Sequence, residues 1–382
     1  MEDHKKNKVK KVLFFRNDFG ASVARQSQDG YGGVGYYRIV QPAKYLKGHD
    51  VSVVGVKLDK KGETLEQRWS RIFKEYDVFW TCYFTDPHLA SAIFYHRDKY
   101  KKKVVIDLDD NYLDVLPTHQ LYERFKETKK DRAFMSTILT FADAITVSTE
   151  PLKQKVAEHL KKVYKMDKKI FVIPNMNDAN IWKFKPAPKH KDKIVIGYSG
   201  SNSHDDDLEM MFPALAKIME KYQNVYFESL GALGKSNIKL FTPFSDEAKK
   251  RCDILPSTWT FKEYPKYLAS LKWDIGIAPL TDCAFTRCKS HIKWMEYSMY
   301  KIPVIASKVY PYYFNCFGRQ TIQHEKTGLL VKQNEWFDAL EDLILHEEKR
   351  KQLGENAYDF VKKNWQYGDD FSNAINKVIK AL

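Results

Sequence analysis

Apolar residues in this chain come in short blocks, separated by longer stretches in which they recur every three or four positions. Blocks at 12–16, 51–56, 78–82, 104–108, 144–147 and 171–173 predict strands in the first half. Those at 194–197, 225–229, 274–278, 304–306 and 328–331 predict strands in the second. Runs with little polar alternation suit strands covered on both faces, and the intervening periodic stretches, 36–47 among them, suit helices. Such alternation predicts an α/β protein with parallel sheets. Residues 175–192 lose the periodicity and carry Pro186 and Pro188, which marks a linker. The end of the chain, 347–382, is helical with a break around 366–369. No block approaches the ~20 apolar residues needed to cross a bilayer. The polar, basic start, 1–11, predicts no signal peptide.

The densest candidate chemistry lies between Trp273 and Ser307. A buried strand leads into a loop rich in hydrogen-bonding side chains, then a helix, then a second buried strand. This is one half of a βαβ unit, whose helix N-terminus offers free N–H groups to an anion. Lys289 and Ser290 fall at that expected N-terminus, and Lys293 and Glu296 follow on the same helix. The plainer alternative is an amphipathic helix that packs Ile292, Met295 and Met299 and leaves Lys293 and Glu296 in solvent.

Glu296-Tyr-Ser-Met-Tyr-Lys-Ile-Pro303-Val-Ile-Ala-Ser307 resembles the donor-nucleotide motif of glycosyltransferases with the two-domain B-type (GT-B) fold, particularly retaining family 4. Six further fragments occur in that family's order. They are Gly30–Gly35, Gly48-His-Asp-Val-Ser-Val-Val, Ala142–Ser148, Val172-Ile-Pro-Asn175 with Asp178, Ile196-Gly-Tyr-Ser-Gly200, and Thr327-Gly-Leu-Leu-Val331. The resemblance implies two Rossmann-like, doubly wound parallel-sheet domains facing a cleft. The first, 1–178, would bind the acceptor and the second, 179–365, the nucleotide-sugar donor. Residues 366–382 would form a helix crossing back to the first domain. Glu296 matches the carboxylate that holds the donor's ribose, and Lys289, Ser290 and Lys293 resemble a divergent branch with Lys-Ser at this point. A second family carboxylate falls at Cys288, a departure. The family's Arg and Lys for the diphosphate are also missing near Gly200, Ser201 and His204. Their charge would come from Lys289, Lys293 and Arg38. Gly33 and Gly35 would let backbone approach the donor.

Composition narrows the setting. At 382 residues, with 43% hydrophobic and 14% aromatic side chains, the chain can bury two cores. Five cysteines without a Cys-x-x-Cys pair argue against a disulfide scaffold or zinc site and for a reducing, cytoplasmic location. The net charge of +14 is uneven: residues 1–185 hold 35 Lys and Arg against 24 Asp and Glu. Clusters at 5–11 and 101–103 carry much of it. A domain this basic attracts a polyanion: an envelope glycan or acidic lipid with peripheral membrane contact, or DNA. A solvated lysine-rich face is the simpler alternative.

Asp107-Leu-Asp109-Asp110 ends a predicted strand. An Asp-x-Asp there binds Mn or Mg in the other, A-type glycosyltransferase fold, but the order of elements is B-type, for which the resemblance implies no metal and no cofactor beyond the sugar donor. Asp109 or Asp110 would then orient or deprotonate the acceptor hydroxyl, and capping of the next segment is the structural alternative. Lys289 would stabilise the departing diphosphate. The expected activity is transfer of a sugar from a nucleoside diphosphate to a hydroxyl, with retention. The expected acceptor is an envelope glycan or lipid; the alternative is a hydroxymethylated base in DNA. A nucleotide-sugar epimerase and a nucleic-acid-binding protein are the readings from other classes.

Overall fold

The structure is a computed structural model that describes residues 9–15, 31–54, 62–119, 121–200, 204–231, 239–255, 260–316 and 318–382. The chain divides into two compact units. The first comprises 1–110, 127–174 and 368–382, and the second 111–126 and 175–367. Each contains one six-stranded parallel sheet. The segment 111–126, expected in the first domain, groups with the second, and so do 175–178 and 366–367.

In the first unit the strands are β1 (Lys11–Phe15), β2 (Asp50–Val54), β3 (Val78–Cys82), β4 (Lys103–Leu108), β5 (Ala144–Val147) and β6 (Ile170–Val172). Their order is β2-β1-β3-β4-β5-β6. The interior strands β3 and β5 are buried at every position, which is why they read as unbroken apolar runs. The expected helix at 36–47 runs from 33 to 45, with a π-helical turn at Tyr36–Val40. The last helix, Asp369–Ala381, belongs to this unit and buries Phe371, Ile375, Val378 and Ile379. Polar contacts pin it too: Lys10 Nζ donates to the Ile379 carbonyl (3.1 Å), and His49 Nε2 lies 2.9 Å from Asn376 Oδ1.

The second unit holds β7 (Ile194–Ser199), β8 (Val225–Leu230), β9 (Cys252–Leu255), β10 (Ile275–Ala278), β11 (Val304–Ser307) and β12 (Leu329–Val331). They lie in the order β12-β11-β10-β7-β8-β9. The edge strand β9 was not expected, nor was the two-residue hairpin Asn315–Cys316 with Arg319–Gln320. Residues Asp205–Lys221 form a long helix that packs Leu208, Met211, Phe212, Leu215 and Met219 into the core beneath the sheet. Among the described residues no helix is long and apolar enough to cross a membrane.

A tight constraint sits at the centre of this second sheet. Gly197 on β7 pairs in register with Gly276 on β10. A Cβ at Gly197 would lie 1.8 Å from the Trp273 ring, and one at Gly276 would lie 2.6 Å from the Tyr297 ring. Trp273 is fully buried and its indole N–H donates to Glu228 (2.7 Å), so the ring has no easy escape. Gly197→Ala should therefore destabilise the protein by about 3 kcal/mol, the upper end of overpacking costs. Gly33→Ala, where a Cβ meets nothing within 4 Å, should leave the urea midpoint nearly unchanged. Equal midpoints for the two variants would show that the Trp273 contact is not limiting.

Candidate functional site

In the second sheet the strand order reverses between β7 and β10. Loops leaving the carboxyl ends of strands at such a reversal are where open α/β sheets bind ligands. Here those loops carry Gly200 and His204 after β7, and Thr281 to Ser290 after β10. Ser201 lies outside the described residues. The helix expected to open at Lys289 and Ser290 begins at Ile292 and ends at Ser298. Lys289, in extended backbone, and Ser290 instead lie ahead of it.

Glu296 projects from this helix and is only 5% exposed, which disposes of the solvated-face alternative for that residue. Its Oε2 accepts a hydrogen bond from Tyr264 Oη (3.0 Å), which also contacts Ser199 Oγ (3.1 Å). Burial, then the Glu296 charge, pushes the Tyr264 phenol well above its ordinary range, so it remains a donor. The neighbouring Tyr297 Oη accepts from the Ser199 amide at 2.6 Å. Glu296 and the end of β7 are thus tied together by two tyrosines.

A second polar group lies at the same strand ends. His204 Nδ1 is 2.7 Å from Asp207 Oδ2, and His204 Nε2 is 3.3 Å from Lys293 Nζ. The other Asp207 oxygen accepts from the Thr281 amide (2.7 Å) and hydroxyl (3.0 Å). Burial pushes the Asp207 carboxyl above its usual range, opposed by the Thr281 amide and by Lys289 and Lys293. Lys289 Nζ stands 4.6 Å from the Phe285 ring centre, and Ser290 Oγ accepts from Asn175 Nδ2 (3.0 Å). A Cβ at Gly200 would meet Tyr198 Oη at 2.6 Å. Cys288, where a carboxylate was the family expectation, is a buried thiol. Sequence reasoning missed Asp207, Thr281 and Tyr264. Only the His-x-x-Asp spacing at the opening of a helix pointed to the first, because it places both side chains on one face.

In the first unit lies Arg38, a candidate for the diphosphate. Its guanidinium is buried and forms a bidentate pair with Asp107, Nε to Oδ1 at 2.8 Å and Nη2 to Oδ2 at 2.7 Å. Nη1 donates to the Ile173 carbonyl, and Thr146 Oγ1 also donates to Asp107 (2.6 Å). A buried guanidinium needs such a carboxylate beside it. Asp109 and Asp110 follow on the loop and remain partly exposed. Burial, then the charges of Asp110 and Asp107, push Asp109 up to about 7, against the lowering effect of Arg38. Gly33 and Gly35 occupy the first turn of the helix that carries Arg38, with Gly35 buried. In the 101–103 cluster, Lys102 pairs with Asp77 and Lys103 with Asp143, each at 3.0 Å. The lysines at 5, 6 and 8 lie outside the described residues.

Neither a protein-family model nor a curated protein matches the chain by sequence. Solved structures do. The Anabaena protein Alr3699/HepE, solved in complex with UDP, aligns over 97% of this chain and 100% of its own, with a TM-score of 0.62 at 15% identity. A glycosyltransferase from Rickettsia africae aligns over 98% and 97%, with a TM-score of 0.60 at 15% identity. The pneumococcal O-GlcNAc transferase GtfA, solved with UDP and GlcNAc, aligns over 82% of this chain and 59% of its own, with a TM-score of 0.54 at 12% identity. The chain has the two-domain B-type glycosyltransferase fold.

The Arg38–Asp107 pair has a measurable consequence. Arg38→Met leaves a buried carboxylate without its cation and should cost about 3–5 kcal/mol in urea unfolding. Arg38→Met with Asp107→Leu should recover most of that loss. A single variant as stable as the parent would mean that the pair is not holding this loop.

Proposed function

We propose that the protein is a glycosyltransferase that moves a sugar from a nucleoside-diphosphate sugar to a hydroxyl acceptor. The observation that carries this reading is Glu296, a buried carboxylate held by Tyr264 at the strand reversal of the second sheet. A carboxylate so fixed accepts charge-assisted hydrogen bonds from the two hydroxyls of a ribose. Lys289 and Lys293 meet the diphosphate in this reading, and Ser290 and Gly200 shape the loops around it. UDP in the HepE and GtfA structures supports a nucleotide-sugar donor, with the nucleotide itself still to be determined.

Asp109 is the acceptor-side group in this reading, with Asp110 beside it and Gly33 and Gly35 as points of close backbone approach. As a carboxylate, Asp109 accepts the hydrogen bond of the incoming hydroxyl and strengthens the nucleophile. In front-face attack with retention, the proton then passes to the departing diphosphate oxygen, and no metal ion is required. An envelope glycan or acidic lipid is the acceptor we favour, and hydroxymethylated DNA is the second. The excess of basic residues in the first half supports an anionic partner, although Lys102 and Lys103 spend their charge on Asp77 and Asp143.

Glu296→Ala should weaken calorimetric affinity for the preferred nucleotide by about 1.5–3 kcal/mol, the worth of hydrogen bonds to a charged group. Unchanged affinity in a folded variant would remove Glu296 from the donor site. Asp109 makes a separate expectation about pH. The active form is the carboxylate, so turnover in excess chelator should rise with pH through about 7 and level off above it. Asp109→Asn should be slow at every pH while still binding the donor; a parent-like pH profile in that variant would assign the ionisation elsewhere.

A further inference from the structure

In the donor-site reading Lys289 and Lys293 meet the diphosphate, and the His204 cluster stands beside Lys293. A diphosphate diester brings two negative charges to loops that follow β7 and β10. The helix beginning at Asp205 opens with three carboxylates, Asp205, Asp206 and Asp207, which oppose an anion there. A further cation beside the two lysines would offset these carboxylates.

His204 is built to change its charge. Asp207 accepts at both oxygens: from Thr281 at Oδ1 and from the imidazole at Oδ2. The His204 proton therefore sits on Nδ1, leaving a lone pair on Nε2, toward which Lys293 Nζ donates from 3.3 Å. With nothing bound, a second proton on Nε2 would face the Lys293 ammonium, which disfavours it. An anion beside Nε2 and Nζ reverses this balance: Asp207 already stabilises imidazolium from one side, and the new charge stabilises it from the other. Among the described residues, further titratable or charged groups lie near the imidazole. Tyr198 has its ring centre 6.3 Å away, and Lys293 also lies over that ring. Asp205 and Asp206 share the first helical turn, with Asp206 accepting from Thr118 Oγ1. Lys289 and Tyr312 act through the field they exert on or feel from Asp207.

We propose that His204 takes up a proton from solvent when a nucleotide sugar binds, and that the resulting imidazolium, positioned by Asp207, adds a further cation beside Lys293 at the diphosphate. The proposal rests on the donor-site reading and adds to it a proton linkage that a fixed Arg or Lys would not have. Donor affinity then falls as pH rises through the imidazole range.

Calorimetry tests this directly with UDP-glucose, GDP-glucose and ADP-glucose, whose diphosphate diesters do not titrate near neutrality. For the tightest binder at pH 7.5, the heat measured in HEPES and in Tris gives the number of protons taken up. We expect a clear fraction of one proton, and an affinity about tenfold higher at pH 6 than at pH 8.5. His204→Gln should abolish both the uptake and the pH dependence. His204→Lys, a fixed cation, should bind well at pH 8.5 without uptake. Asp207→Asn, checked for folding by urea midpoint, should shift the pH dependence to lower pH. Binding without proton uptake, or the same uptake in His204→Gln, would overturn this proposal and leave the donor site standing. If none of the three binds the parent, the donor-site reading falls and this proposal falls with it.

Discussion

Two glycines facing each other across β7 and β10 decide where everything else in the second unit goes. Without side chains at 197 and 276, the sheet face there is open, and the rings of Trp273 and Tyr297 fill it edge to face at 5.6 Å. Tyr297 seated in this way brings its hydroxyl to the Ser199 amide, fixing the end of β7. The next residue back, Glu296, is thereby turned toward Tyr264 and the strand ends, not toward solvent. A carboxylate is expensive to bury, and what makes this position tolerable is that its surroundings are polar and rigid before any ligand arrives. The site is a by-product of how the core closes.

Much of this was legible in the chain. Strands covered on both faces announce themselves as apolar runs, and the bounds of β3 and β5 coincide with theirs. The break before the last helix was equally plain, because Gly368 and Asp369 interrupt the periodicity. What escaped has physical causes. The edge strand β9 carries Cys252 and Asp253 and is half exposed, so its pattern is too polar to stand out. Segment 111–126 follows β4 directly in sequence, and only tertiary contacts assign it to the second unit: Asn111 Nδ2 donates to the Ala284 carbonyl (3.2 Å), and His119 stacks edge-on against Phe285 (4.9 Å). The pairing of Arg38 with Asp107 was likewise hidden, because the two are 69 residues apart and nothing local marks the pair.

The two buried polar systems show why that distinction matters. Arg38 and Asp107 form a bidentate pair around a guanidinium that never loses its proton, which makes the pair useful for shape. It anchors the strand end that leads to Asp109, whose carboxyl feels both charges. His204 and Asp207 look similar on paper, a base beside a buried acid, yet imidazole titrates in the range where cells operate. One of its nitrogens is spoken for and the other faces Lys293. The same economy of burial that makes the first pair inert makes the second responsive: in both, a carboxylate holds a cation in place, but only in the second can the cation be absent. In the proposed donor site, Lys289 and Lys293 supply constant charge, and His204 would add charge that depends on what is bound.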